Sequence, residues 1–423
     1  MAENQSSTLK RLSDNFASLV VLQGINYLVP LIIFPYLVRV LGIDGFGLYS
    51  FIFYVVWIGV VISDYGFDLT ATKLISLNTK NSAKTDEIFS SVLILKMFLS
   101  ILFLGFLTIL ILTFDKFNKD YELYYLAFGF VIGQVLFPVW FYQGIEKMRY
   151  ITILNAVAKI IFTLLIFIFV KSIDDLYLVF IFNGLGAIVA GGLALYIAIS
   201  KFNISFKMQK LSTLTYYLKD GWYVFTSRVA VELYTSANII ILGFFVNNTV
   251  LGYFSIVEKI IRALGSILEP LTRATYPYLN KLFIESKKSF YKRNKQLALI
   301  IFAIMLPVTL LVNYFGYEIL KLISGETPPQ IMVELLFSFS FLLIFYQYGS
   351  QFTNMLVTLN ETKLLNKIVV FAVMLNFIFA VPIIYFIGVK GFAWFCVFIG
   401  FFIAFTKGYF IYKFKSRDLW ESH

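Results

Sequence analysis

The chain has 423 residues, of which 60% are hydrophobic and 14% charged, and its net charge is +11. Soluble domains lie closer to half apolar and a quarter charged, so this composition excludes a soluble fold and defines an integral membrane protein. A single histidine, His423, and a single cysteine, Cys396, exclude an intrachain disulfide, a His-based metal site and His-based acid–base catalysis.

Repeated apolar runs of about twenty residues predict all-α spans rather than barrel strands. The N-terminal stretch MAENQSSTLKRLSDN lacks a signal-peptide layout, and the first apolar run is expected to remain as a helix. Twelve transmembrane helices are expected: 15–41, 46–67, 88–113, 121–142, 150–170, 176–200, 221–246, 249–276, 295–316, 331–358, 364–388 and 391–412. Loop Lys and Arg fall about 22 on one side against 6 on the other, which predicts cytoplasmic N- and C-termini and explains the basic excess without nucleic acid. The loop 201–220 lies on the basic side. Within it, Leu211, Leu214 and Leu218 follow a helical spacing that fits either the membrane surface or a plain linker.

The second half echoes the first. Leu41–Gly42 is matched by Leu242–Gly243, GLYS at 47–50 by GYFS at 252–255, and ITILNAVAKIIF from 151 by TKLLNKIVVFAV from 362. The expected organisation is an N-terminal lobe at 1–200, a cytoplasmic linker at 201–220 and a C-terminal lobe at 221–423, six parallel-repeat helices to each lobe.

Span eight contains VEKIIRALGSILEPLTR, with Glu258, Lys259, Arg262, Glu269 and Arg273. A charge at a helix centre costs about 2.5–3.5 kcal/mol in lipid, so these residues must meet protein or water. At about 100° per residue, Glu258, Glu269, Arg262 and Arg273 share one stripe, with Lys259 at its edge. Arg228 and Glu232 in span seven, Asp64 and Asp68 in span two, Lys96 in span three and Lys159 in span five add charges from both halves. Two readings fit: a wet cavity shared by the halves, or internal pairing at i,i+4 spacing, Glu258 with Arg262, Glu232 with Arg228 and Glu269 with Arg273. Lys96 and Lys159 have no acid one turn away, whereas Lys407 and Arg39 lie near span ends and fit snorkelling.

The segments LVPLIIFPYLVRVLGIDGFGLYSF (28–51), SDYGFDLTATK (63–73), PVWFYQGIEKM (138–148) and LGFFVNNTVLGYFSIVEKII (242–261) resemble the bacterial polysaccharide-repeat flippases. These are the Wzx type of O-antigen transporter, within the multidrug/oligosaccharidyl-lipid/polysaccharide (MOP) exporter superfamily. The resemblance covers nearly the whole chain. It implies two six-helix lobes around a central cavity and passage of undecaprenyl-pyrophosphate-linked oligosaccharide from the cytoplasmic to the periplasmic leaflet of the inner membrane. Membrane lipids and polysaccharide polymerase machinery are the implied partners. Arg262, Arg273, Arg228, Lys96, Lys159 and Lys259 are the candidate pyrophosphate-binding cations, chosen by depth and helix face. No nucleotide motif is present, so no cofactor and no enzymatic activity are expected. A proton or sodium ion is the expected coupling partner, with Glu258, Glu269, Glu232 and Asp64 as candidates to bind it; simple salt-bridge partners are the alternative role for each. The rivals are a drug/cation antiporter of the same superfamily, whose cavity would be acidic, and a membrane glycosyltransferase or polymerase, for which the outer loops FDKFNKD and SGETPPQ are too short.

Overall fold

Backbone groups surrounded by hydrocarbon must be satisfied within their own segment, and this chain meets that demand with helix throughout. A computed structural model describes residues 2–420, with side chains at 29 and from 32 to 416 except 227, 230, 231, 233–235, 270, 273, 274 and 277. The helices in chain order are α1 (Ala2–Asp64), α2 (Phe67–Asn78), α3 (Ser82–Thr113), α4 (Asp115–Asn118), α5 (Tyr121–Leu136), α6 (Val139–Gly144), α7 (Met148–Phe169) and α8 (Leu176–Phe202). There follow α9 (Leu211–Thr235), α10 (Ala237–Phe245), α11 (Asn248–Gly265), α12 (Glu269–Glu285), α13 (Lys287–Tyr314) and α14 (Gly316–Ser324). The last three are α15 (Gln330–Ser340), α16 (Leu342–Thr358) and α17 (Thr362–Trp420).

Most residues of the expected segments are helical, and among the described residues eight stretches are long and apolar enough to cross a bilayer. Two of the longest, α1 and α17, are each a pair of helices joined across a break, at Gly42 (φ 67°, ψ 172°) and at Gly388 (φ 78°, ψ −169°). Residues 211–285 supply none of the eight. Within that stretch the helices are interrupted at Ser236 and by a 3₁₀ turn at Ser266–Leu268, and α11 carries Glu258, Lys259 and Arg262.

That turn changes the expected stripe. Three residues at about 120° rather than 100° rotate α12 by roughly 60° against α11, so Glu269 stands toward the edge of the line of Glu258 and Arg262, while the side chain of Arg273 lies outside the described residues. The apolar face of α11 is buried, with Val257 and Ile261 at most 1% exposed, so it packs on protein rather than lipid.

The repeat reads best at the GLYS/GYFS offset, 252 − 47 = 205 residues. At that spacing Gly42 corresponds to Asn247 (42 + 205), not to Gly243, which lies inside α10. Both positions mark an interhelical break: Gly42 through its positive φ, Asn247 through its side chain, which accepts from the Val250 N–H at 2.9 Å. Ser50 and Ser255, also 205 apart, are each 0% exposed, small residues in tight helix packing.

The chain forms two compact units, Met1–Glu232 and Leu233–His423. The core of the first gathers Phe67, Phe89, Phe137, Trp140, Phe141 and Tyr142, with Gly133 and Gly191 allowing α5 and α8 to meet backbone to backbone. In the second, Phe254 of α11 stacks on Phe392 at 5.7 Å and meets Phe339 edge-on at 5.0 Å, while Ala372, Ile399 and Ile403 join the two limbs of α17.

A Cβ at Gly42 would meet nothing within 4 Å, so the position demands backbone freedom rather than room. Gly42→Ala should therefore cost about 1–3 kcal/mol of stability. Gly105→Ala, mid-helix and equally open, should cost nothing. Thermal unfolding in detergent separates the two, and equal losses would show that the break makes no special demand.

Candidate functional site

Pro138 organises the charged centre of the first unit. It lacks an N–H, so the carbonyl of Gln134, four residues earlier, loses its helical donor where α5 ends. Lys96 of α3 replaces that donor, its ammonium lying 3.2 Å from the Gln134 carbonyl and 4.7 Å from the centre of the Trp140 ring. The same ammonium donates to Asp64 Oδ1 at 3.0 Å. Lys96 is 3% exposed and fully engaged within the protein.

Asp64 shares its other oxygen with Arg228, whose Nη1 lies 3.2 Å from Oδ2, and the second guanidinium nitrogen bonds Asp68. Two carboxylates and two cations form a neutral network across α1, α2, α3 and α9. The sequence offered Glu232 as the partner of Arg228, but carboxylates from two other helices take its guanidinium. Glu232 accepts from Trp57 Nε1 at 2.7 Å. Close packing seats α9 beside this network: Tyr65 stacks on Phe225 at 4.4 Å, and a Cβ at Gly66 would lie 2.6 Å from Val224. The network is buried on its lysine side and open on its arginine side, with 4% exposure for the Lys96 side chain against 39% for Arg228. Lys159, on α7, is half-buried.

In the second unit, Arg262 donates through Nε to Glu258 Oε1 at 2.9 Å, the i,i+4 pair expected on α11. This pair is also asymmetric, with 47% exposure for Arg262 and 10% for Glu258. Glu258 lines a small enclosed cavity with Asn238, Tyr346 and Cys396, and Asn376 donates to Asn238 Oδ1 at 2.8 Å. Lys259 and Glu269 are partly buried, and the side chain of Arg273 lies outside the described residues. Lys407 does not snorkel. It is 5% exposed and donates to Thr353 Oγ1 at 2.8 Å and to the Gly349 carbonyl at 3.3 Å.

The structure thus brings Asp64, Lys96 and Arg228 together in one unit and Glu258 with Arg262 in the other. Sequence reasoning did not single out Gln134, Trp57, Asn238 or Asn376. Pro138 was a signal for Gln134, because a proline inside a span always frees the carbonyl four residues back. Nothing in the sequence distinguished Trp57 from the other membrane aromatics. Among the described residues, no group of three or more His, Cys, Asp or Glu could hold a metal ion.

Long apolar helices with charges paired among them define a multi-pass membrane protein, and solved structures share this fold. A lipid II flippase MurJ in an inward closed conformation superposes with a TM-score of 0.71 at 13% identity, covering 93% of this chain and 87% of that one. An inward-facing multidrug resistance MATE family transporter of the MOP superfamily gives 0.67 at 16%, covering 94% and 98%. Residues 12–283 match the family model "Polysaccharide biosynthesis protein", and the chain belongs to that family. Two relatives bear the name "Putative O-antigen transporter". One, from Escherichia coli (strain K12), is 31% identical over 88% of this chain and 90% of its own length. The other, from Shigella dysenteriae, is 28% identical over 90% and 95%. The fold is that of the MOP superfamily, and the chain is a membrane transporter rather than an enzyme.

Replacing one partner of a buried pair leaves the other charge without compensation, at a cost of about 3–5 kcal/mol. Lys96→Met is expected to lose that much stability, and Lys96→Met with Asp64→Asn less than the sum of the single changes. A double-mutant cycle on detergent-solubilised protein measures the coupling; strict additivity would show that the pair contributes nothing of its own.

Proposed function

We propose that this protein flips undecaprenyl-pyrophosphate-linked sugar repeat units from the cytoplasmic to the periplasmic leaflet of a bacterial inner membrane, with both termini in the cytoplasm. The near full-length similarity to the two relatives named for O-antigen transport carries this reading. Physical chemistry supports it. A pyrophosphate–sugar head cannot cross roughly 30 Å of hydrocarbon without replacement of its hydration, whereas a polyprenyl tail is at home there. In each unit one arginine turns an accessible guanidinium outward while its carboxylate stays the more buried partner. Arg228 and Arg262 are therefore the leading phosphate ligands, with Lys159, Lys259 and Arg273 as further members of the set. Lys96 holds Asp64 and contributes by placing Arg228.

An inside-negative potential favours outward movement of the anionic head by about 2.3 kcal/mol per charge per 100 mV. Glu258, facing its cavity beside Asn238, is the leading site for a coupled proton or sodium ion, ahead of Glu269, Glu232 and Asp64. A cationic drug would be repelled by the exposed guanidinium groups, which disfavours the antiporter reading.

Hydrogen bonds to charged groups are worth about 1.5–3 kcal/mol, so Arg228→Ala or Arg262→Ala should slow delivery of lipid-linked sugar to the periplasmic face by roughly ten- to hundredfold. Membrane levels of the protein should hold, and Arg39→Ala should behave as wild type. Full surface polysaccharide in the double arginine variant would remove both residues from the site. Glu258→Gln should change the pH or sodium dependence of transport in proteoliposomes; an unaltered dependence would exclude Glu258 from coupling.

A further inference from the structure

The segment between α8 and α9 is fastened along α3 rather than left slack. Asn203 ends α8 in the left-handed region (φ 52°), and Ile204 turns into the core, 7% exposed. The Ser205 N–H then donates to Asp86 Oδ1 at 3.0 Å, and the Lys207 N–H donates to Ser90 Oγ at 3.0 Å. Past residue 210, Tyr217 donates to Glu87 at 3.0 Å, while Leu214 and Leu218 pack on the core of the first unit. Those two leucines are therefore not a membrane-facing stripe. What the strap leaves outside is the third leucine of that spacing, Leu211 at 75% exposure, together with Phe206 at 46% and Met208 at 82%. Lys207 and Lys210, both exposed, alternate with them.

We propose that this strap is an interfacial anchor for the anionic lipid surface of the leaflet on the basic side of the protein. Ser90 lies in the third turn of α3, just inside the expected third span (88–113), so its bond to Lys207 holds the strap against that end of the span. Apolar side chains there enter the acyl boundary, and the flanking lysines reach lipid phosphates, the combination that holds amphipathic segments at an interface. A lipid surface fits better than a protein partner because exposed lysines flank the apolar residues, the charge that anionic headgroups complement. Asp86 and Ser90 fix the strap's backbone in place before any lipid arrives.

Met208→Cys in a Cys396→Ala background, labelled with an environment-sensitive fluorophore, tests the anchor in nanodiscs. Emission should shift to the blue, and lipids spin-labelled near the headgroup should quench it, more strongly in phosphatidylglycerol than in phosphatidylcholine. Lys207→Gln with Lys210→Gln should abolish the difference between the two lipids. Phe206→Cys serves as the second label position, and Lys80→Cys as the water-exposed control. Emission matching the Lys80 control in both lipids would overturn the proposal. So would a label at 208 already shielded in detergent and indifferent to lipid, since protein would then cover the strap. Neither result depends on sugar transport, so the anchor and the flippase reading can fail separately.

Discussion

Charge inside an apolar protein has to be answered locally, and most of the arrangement in the first unit follows from that constraint. Asp64 sits near the end of α1 and two cations from different helices reach it. Each cation makes a second bond, Lys96 to the carbonyl freed by Pro138 and Arg228 to Asp68. The four charges cancel, so the unit tolerates them without lipid having to solvate any. Because the lysine is deep and the arginine shallow, the same neutral set leaves one cationic face accessible. The second unit reaches a comparable result within a single helix, where Glu258 is the shielded partner and Arg262 the exposed one.

The all-helical class, the positions of the helices and the membrane setting were legible in the chain, because composition and run length act residue by residue and need no tertiary information. The i,i+4 pair on α11 was legible for the same reason. What escaped were contacts between segments distant in sequence. Arg228 has an acid one turn away at Glu232, yet it pairs with Asp64 and Asp68, 164 and 160 residues away. Lys96 has no local acid and finds one 32 residues earlier. Periodicity also assumes an unbroken helix, whereas the segment 258–273 is interrupted by the 3₁₀ turn of Ser266–Leu268. There Gln347 from α16 donates to the Gly265 carbonyl, a compensation no local pattern announces. Lys407 was misread for a similar reason: position near a span end suggested water, while Thr353 and Gly349 on a neighbouring helix supply acceptors inside the protein.

Shared architecture with MATE and MurJ proteins at 13–16% identity shows how little of the sequence this fold requires. The breaks account for part of that latitude. Gly42 and Asn247, 205 residues apart, each stand at an interhelical break and serve it by unrelated means, one through φ and the other through a side-chain cap. A requirement that can be met by two chemistries constrains geometry while leaving residue identity loose.

The Pro138–Gln134–Lys96–Asp64 chain bears on how the protein is made. Synthesis runs from the N-terminus, so the Asp64 carboxylate is produced before Lys96, Lys96 before the proline that frees a carbonyl for it, and Arg228 last. Each cation thus emerges from the ribosome after an anion able to receive it. The span with the buried lysine then need not wait for the second half of the protein before it can settle in the bilayer.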